Sequence, residues 1–136
     1  MQANLFRKSA VLIEQSPLQC RLYEDVLTAN GFDVYVAKSA MDGLIKIKEA
    51  PQDLAIINTE LAEESFMEKL ISKMKTGHRS SIMPIVGLSI YEREYKKNIS
   101  ETLDAFLTKP FSIDRFLETI FSCLESGVDG CKGSGS

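Results

Sequence analysis

Polar residues capable of hydrogen bonding and ion pairing follow short apolar runs at four places in this chain. These residues are Glu14, Gln15, Asn58, Ser89 and Lys109. They offer a carboxylate, two amides, a hydroxyl and an ammonium group, which can pair with one another without a metal ion. No histidine or other base lies near Ser89 in the sequence, so a serine nucleophile is not indicated. What the set can do depends on whether the fold brings its members together.

The composition excludes several classes of protein. The chain has 136 residues, of which 44% are hydrophobic and 26% charged, which is typical of one globular domain. Its 16 basic and 19 acidic side chains give a net charge of −3, so nucleic acid and anionic membrane surfaces are not expected as partners. No apolar stretch approaches the roughly 20 residues that cross a bilayer. The three cysteines lack metal-type spacing, and we predict a cytoplasmic protein.

Strand and helix patterns alternate along the chain and position these polar residues. Apolar or alternating runs predict five strands, near residues 10–13, 32–36, 54–57, 82–88 and 105–107. Apolar residues at helical spacing predict a helix after each strand, near residues 17–29, 39–50, 66–76, 92–103 and 113–124. The apolar face of the third helix is predicted to contain Phe66, Leu70, Ile71 and Met74.

Five strand–helix units joined by short connections predict an α/β fold, with one parallel sheet and helices on both faces. The predicted domain covers residues 1–126, and residues 127–136 are predicted to form a flexible tail or linker. Sites in open parallel sheets lie at the carboxyl ends of the strands. Since the five polar residues follow strand ends, we predict that they line one crevice.

Four short blocks of the sequence resemble the receiver domain of bacterial response regulators. The blocks are residues 11–16, 53–58, 87–89 and 106–111, and the similarity covers about residues 9–126. The resemblance implies a flavodoxin-like sheet with strand order 2-1-3-4-5. It also implies a site in which an acidic pair and an aspartate hold Mg²⁺. In that family the aspartate accepts a phosphoryl group from a histidine kinase, and a hydroxyl and a lysine bind the phosphoryl oxygens.

By this resemblance, each polar residue takes a position of the receiver site. The positions are the acidic pair at Glu14 and Gln15, the phosphoacceptor at Asn58, the hydroxyl at Ser89 and the lysine at Lys109. Phe106 falls at the position of the family's switch aromatic, which packs differently in the two signalling states.

The chain departs from the receiver pattern at four positions. Asn58 has no carboxylate with which to form an acyl phosphate, and Gln15 replaces an acid. In the loop that follows, Ala62 and Phe66 stand where the family usually has proline and glycine. The side chains at the acidic-pair, acceptor and lysine positions sum to zero charge, and Mg²⁺ favours carboxylate oxygens. We therefore predict weak or absent Mg²⁺ binding, no cofactor and no catalytic residue.

These departures predict a pseudo-receiver, a signalling module of the two-component type that acts through protein–protein interaction rather than through phosphorylation or catalysis. The expected partner is a histidine kinase or another signalling protein, bound at a face within residues 91–126 that includes Tyr91, Tyr95, Phe106 and Phe111. Two alternatives are a phosphorylatable receiver whose acceptor was changed from Asp to Asn58, and a small ligand in the crevice. No glycine-rich phosphate loop supports the small ligand.

Glu14 and Lys109 have two interpretations within this hypothesis. In the first, they form an ordinary ion pair at the strand ends, left over after loss of the metal. In the second, Glu14, Asn58, Ser89 and Lys109 form a hydrogen-bonded latch that holds one receiver conformation without phosphate.

Overall fold

The computed structural model describes residues 7–61, 63–75, 83–90 and 103–126. Within these ranges the chain alternates between strands and helices. The elements are β1 (Lys8–Ile13), α1 (Pro17–Ala29), β2 (Phe32–Ala37), α2 (Ala40–Glu49), β3 (Leu54–Asn58), α3 (Glu64–Met74), β4 (Ile85–Ser89), β5 (Ala105–Thr108) and α4 (Ile113–Ser126). A short 3₁₀ helix, Thr59–Leu61, follows β3 directly.

The strands form one five-stranded parallel sheet in the order β2-β1-β3-β4-β5. This confirms the predicted α/β class and strand order. The central strand β3 is buried along its whole length, as expected of a parallel strand covered on both faces. Its Ile57 lies opposite Ile13 of β1 and Gly87 of β4, so the carboxyl ends of these three strands lie side by side.

The helices cover both faces of the sheet, as predicted. On one face, Tyr23 and Leu27 of α1 and Phe116 and Ile120 of α4 pack against the sheet. On the other face, the buried residues come from α2 and α3. Both layers exclude water from the strands, and this burial of apolar surface is the main stabilising contribution to the fold.

Helix ends follow the local signals in the sequence. The Ser16 hydroxyl accepts a hydrogen bond from Gln19 N, and Pro17 begins α1. Gly31 follows the end of α1 with φ of +98°, a conformation that residues with a side chain rarely adopt. Ser39 caps α2 in the same way as Ser16 caps α1, by accepting from Asp42 N.

Two aspartates join neighbouring strands at the amino end of the sheet. Asp53, just before β3, accepts a hydrogen bond from Ser9 N of β1 through Oδ2 at 2.8 Å. Asp104, just before β5, accepts from Ile85 N of β4 at 2.8 Å and pairs with Lys75 Nζ at the same distance. Each carboxylate therefore fixes the start of one strand against the start of its neighbour.

Some predicted boundaries differ from the structure. The fourth strand begins at Ile85 rather than residue 82, because Pro84 lacks the N–H that a ladder needs and lies before the strand. Phe66 was expected on the apolar face of the third helix, but it is 47% exposed on α3 and its neighbour Met67 is buried instead. The predicted helix at 92–103 lies, except for Leu103, outside the described residues, as does the predicted tail at 127–136. In the described ranges, no helix is long and apolar enough to cross a membrane.

Candidate functional site

The predicted site residues come together at the carboxyl end of the sheet. Four of them, Glu14, Gln15, Asn58 and Lys109, line an open crevice of about 590 Å³. Its walls are formed by Glu14, Gln15, Ser16, Pro17, Gln19, Asn58, Glu60, Leu61, Ile90 and Lys109. Ser89 lies at the end of β4 and is fully buried. The crevice therefore lies at the strand ends where the sequence pattern places it, and three of its polar residues, Ser16, Gln19 and Glu60, were not predicted as site residues.

Glu14 is buried, with only 1% of its surface exposed, and its carboxylate binds donors of the chain itself. Oε2 accepts hydrogen bonds from Gln15 N at 3.0 Å and Ser16 N at 3.1 Å. It also accepts from Asn58 Nδ2 at 3.1 Å. A buried carboxylate needs such donors, because its desolvation is otherwise very costly. Glu14 thereby connects the end of β1 to the end of β3.

Both polar atoms of the Asn58 side chain bind groups of the chain. Nδ2 donates to Glu14 Oε2, and Oδ1 accepts from Glu60 N at 2.9 Å. The acceptor-position side chain is therefore fixed by an acidic partner on one side and a backbone donor on the other. An amide is the group that can satisfy both contacts, because a carboxylate has no proton to donate to Glu14.

Lys109 makes a contact that the sequence did not predict. Its Nζ donates to Gln19 Oε1 at 2.6 Å and lies 3.7 Å from Glu14 Oε1. The second distance is within range of an ion pair, which bears out the predicted Glu14–Lys109 pairing. Within the described part of the chain, Glu14 Oε1 is buried and has no hydrogen-bond donor. The ammonium group therefore balances this atom by charge alone.

Glu60 is a charged crevice residue that the sequence analysis missed. Its Oε2 accepts a hydrogen bond from Ser89 Oγ at 2.7 Å and another from Ile90 N at 2.6 Å. The 3₁₀ turn after β3 aims this side chain at the end of β4, and Thr59 Oγ1 ties the same turn to Leu88 O at 3.2 Å. The sequence did contain an indication of this contact, because a glutamate two residues after Asn58, at the end of a strand, lies close to the predicted crevice.

The latch hypothesis stays a prediction, and the described hydrogen bonds match it in part. Glu14 and Asn58 are hydrogen-bonded as expected, but the described bond of the Ser89 hydroxyl goes to Glu60. Among the described lining residues, the crevice holds the carboxylates of Glu14 and Glu60 and the ammonium group of Lys109, which sum to a formal charge of −1. The receiver positions themselves still sum to zero, and the additional negative charge comes from Glu60, two residues after Asn58.

The resemblance implies a Mg²⁺ ion here, and the oxygen atoms do not fit one. Glu14 Oε2 already accepts three hydrogen bonds, and Asn58 Oδ1 accepts from Glu60 N. Gln15 is exposed and supplies an amide in place of an acid. Among the residues that the structure describes, no group of three or more His, Cys, Asp or Glu side chains is placed to hold a metal ion. Glu14 Oε2 and Asn58 Oδ1 thus serve N–H donors, and Glu14 Oε1, which has no described donor, lies 3.7 Å from the Lys109 ammonium group. A nearby cation and a single carboxylate at the receiver positions fit a divalent cation poorly.

The buried Glu14 charge also affects two side chains of α1. Burial, with a further contribution from Glu14, raises the pKa of the Tyr23 phenol to about 12. Burial and then Glu14 raise the pKa of the Cys20 thiol, whose Sγ donates to Glu14 O at 3.1 Å. Both groups are therefore neutral at physiological pH, and neither is activated as a nucleophile.

The two predicted surface residues that the structure describes are half-buried. Phe111 stacks on Tyr23 at a centroid distance of 5.9 Å and on Phe116 at 5.7 Å. Phe106 packs against the core layer beneath α2 and α3. The other two, Tyr91 and Tyr95, lie outside the described residues.

Gly87 provides the space into which Phe106 packs. A Cβ atom on Gly87 would lie 2.7 Å from Leu103 Cδ1, 3.1 Å from Thr59 Cγ2 and 3.2 Å from Phe106 Cδ1. Distances this short require the neighbouring side chains to move. Gly87 therefore lets β4 approach the β3 turn and the switch-position aromatic closely.

Replacement of Gly87 by alanine is expected to lower the free energy of unfolding by about 1–3 kcal/mol, because the added methyl group overpacks a filled core. Urea denaturation measures this change. In a Leu103→Ala background the nearest obstructing atom is absent, so Gly87→Ala should cost clearly less there. An equal cost in both backgrounds would contradict the overpacking explanation.

Comparison with known proteins agrees with the fold. No model of a protein family matches the chain. The chain is 25% identical over 119 residues to the polar-differentiation response regulator DivK of Brucella ovis, covering 86% of this chain and 96% of that protein. The corresponding protein of Brucella anthropi is 24% identical over the same length and coverage.

Solved structures show the same architecture. A CheY-like receiver domain from Methylobacillus flagellatus superposes with a TM-score of 0.75 at 21% identity, covering 87% of this chain and 98% of that one. The receiver domain of a sensor histidine kinase from Pseudomonas aeruginosa, solved with magnesium in its active-site cleft, superposes with a TM-score of 0.78 at 14% identity, covering 88% and 99%. The chain therefore has the CheY-like receiver fold and is similar in sequence to response regulators.

Proposed function

From the receiver fold of this chain, we propose a pseudo-receiver, a two-component signalling module that works through protein–protein interaction without phosphorylation of its own side chain. The observation that carries the proposal is the state of Asn58 at the phosphoacceptor position. Its amide donates to Glu14 and accepts from Glu60 N. Both polar atoms of the side chain are therefore used in contacts that hold the strand ends together.

The chemistry of Asn58 supports a non-enzymatic role. Formation of an acyl phosphate requires a carboxylate oxygen that attacks phosphorus. The Asn58 nitrogen is an amide, whose lone pair is delocalised, and its oxygen already accepts a hydrogen bond from Glu60 N. We therefore propose that the domain neither accepts a phosphoryl group nor transfers one.

The donor geometry supports a site that works without Mg²⁺ or another cofactor. The Glu14 carboxylate is held by two backbone N–H groups and the Asn58 amide, with the Lys109 ammonium nearby. A divalent ion at Glu14 Oε2 would have to displace these partners, and one at Oε1 would meet the Lys109 ammonium group 3.7 Å away. In either case it would gain fewer carboxylate ligands than it prefers.

The proposed partner is a protein, such as a histidine kinase or another signalling protein, and we place its binding surface within residues 91–126. The half-buried Phe106 and Phe111 form the described part of this surface, beside the start of α4. The net charge of −3 gives nucleic acid and anionic membranes no electrostatic attraction. This charge favours a protein partner over these two, and we propose a cytoplasmic location because bacterial two-component receivers work there.

Incubation with a small-molecule phosphodonor and Mg²⁺ is expected to leave the intact mass of the protein unchanged, because Asn58 offers no nucleophilic carboxylate. Mass spectrometry of the undigested chain measures the result directly. A receiver domain that keeps its aspartate, treated in parallel, serves as the positive control for the phosphodonor.

The Asn58→Asp variant shows whether the rest of the site is still competent. A phosphoryl adduct on this variant alone would show that Asn58 is the sole barrier, as the alternative of a changed acceptor requires. A stable adduct on the unaltered chain would overturn the pseudo-receiver proposal.

A further inference from the structure

The end of β4 contains a small oxyanion-binding arrangement that is already filled. The hydroxyl of Ser89 and the N–H of Ile90 both donate to one oxygen of Glu60, at 2.7 and 2.6 Å. Charge-assisted hydrogen bonds of this length are among the stronger ones in proteins. Adjacent hydroxyl and backbone donors that converge on one anionic oxygen are suited to carboxylate or phosphate.

Deepening the pseudo-receiver function on which it rests, we propose that Glu60 is an internal ligand that occupies this oxyanion site. The carboxylate takes the place of an external anion such as phosphate and holds the end of β4 against the turn after β3. The β4 end is therefore kept permanently in its ligand-bound arrangement. An external oxyanion enters only when the Glu60 side chain is removed.

Asn58 supports the internal ligand from the other side. Its Oδ1 accepts a hydrogen bond from Glu60 N. This bond fixes the backbone of Glu60, whose side chain accepts from Ser89. An aspartate at position 58 would place a third carboxylate beside those of Glu14 and Glu60. Like charges at short distance in a partly buried site repel strongly. The neutral amide thus allows the negative charge at position 60, and the two residues act together.

Glu60→Ala is expected to speed hydrogen exchange of the Ile90 amide by about tenfold or more, because this N–H loses a charged acceptor. Inorganic phosphate at millimolar concentration is expected to slow the exchange again in this variant. The same phosphate should leave the Ile90 amide of the unaltered chain unchanged. Exchange followed by NMR provides both measurements, with the core amide of Ile57 as the internal reference.

Glu63→Ala is the matched control, because Glu63 lies three residues away, is exposed and makes no side-chain cap hydrogen bond. It should change neither the exchange of Ile90 nor its response to phosphate. Glu60→Gln keeps a neutral accepting oxygen, so it should give a smaller acceleration than Glu60→Ala. This variant also keeps the test available if Glu60→Ala fails to fold.

Three results would each overturn the internal-ligand proposal: no acceleration at Ile90, equal acceleration at Ile57, or a loss of protection that phosphate does not restore. None of them depends on whether the chain can be phosphorylated. A phosphoryl adduct detected by intact mass would instead overturn the pseudo-receiver proposal, so the two failures are distinguishable.

Discussion

Replacing Glu14 with alanine is expected to lower the free energy of unfolding by about 3–5 kcal/mol, the range found when one partner of a buried ion pair is removed. The variant leaves the N–H groups of Gln15 and Ser16 and the amide of Asn58 without their shared acceptor. It also removes the charge that balances Lys109. Urea or thermal denaturation measures the loss.

Two controls distinguish the loss of the Glu14 contacts from a general effect of removing an acidic side chain. Glu49→Ala removes an exposed carboxylate at the end of α2 and should change stability by less than about 0.5 kcal/mol. In a Lys109→Met background, Glu14→Ala should cost less, because no buried ammonium group is left unbalanced. If Glu14→Ala is as mild as Glu49→Ala, the buried carboxylate does not organise the site.

Introducing an acid at position 58 is expected to destabilise the protein at neutral pH. In Asn58→Asp, a carboxylate replaces the Nδ2 group that now donates to Glu14 Oε2 at 3.1 Å. Two unit charges at that separation repel by about 5 kcal/mol at an effective dielectric near 20. After relaxation of the side chains, we expect the free energy of unfolding to fall by about 2–4 kcal/mol.

The sign of the pH dependence follows from the same contact. When two carboxyl groups share a site, one of them has a pKa raised above its unfolded value of about 4. Such a group stabilises the fold below its unfolded pKa, and this stability is lost as the pH rises through the folded pKa. The deficit of Asn58→Asp should therefore be small near pH 4 and grow toward neutral pH. A deficit that does not change with pH would contradict charge repulsion as its cause.

Mg²⁺ gives a second measurement on the same variant. A new carboxylate beside those of Glu14 and Glu60 supplies the oxygen ligands that the unaltered site lacks. Mg²⁺ should therefore raise the melting temperature of Asn58→Asp and leave that of the unaltered chain nearly unchanged. Glu63→Ala, with its acid removed outside the crevice, serves as the control for nonspecific effects of the ion.

The fold was predictable because each strand carries its own signal. Runs such as residues 54–57 are apolar throughout, as buried parallel strands must be, and Pro or Gly residues mark the connections. The alternation of strands and helices then gives the layered architecture. The carboxyl-end rule predicted that Glu14, Asn58, Ser89 and Lys109 share one crevice. In the structure Glu14, Asn58 and Lys109 line it, and Ser89 is buried at the adjacent end of β4.

The pairings within the crevice were not predictable from the sequence. The donors that a long side chain can reach depend on the path of the turn after β3. A short 3₁₀ turn has no periodic sequence pattern from which this path could be predicted. Glu60 was therefore overlooked, and neither interpretation of Lys109, the ion pair or the latch, included Gln19, to which its Nζ donates. Phe66 was misplaced for a related reason, because helical spacing alone leaves the orientation of a short amphipathic helix uncertain by one residue.

The aspartates at the amino end of the sheet have a consequence for how the domain can transmit a change. Asp53 and Asp104 tie β1 to β3 and β4 to β5 at their starts. A slip of one residue there would turn every side chain of a strand to the opposite face. We therefore expect the strands to keep their register at this edge of the sheet. We expect any motion that a partner senses to be confined to the opposite edge, where the strand ends are joined by side chains that can exchange partners.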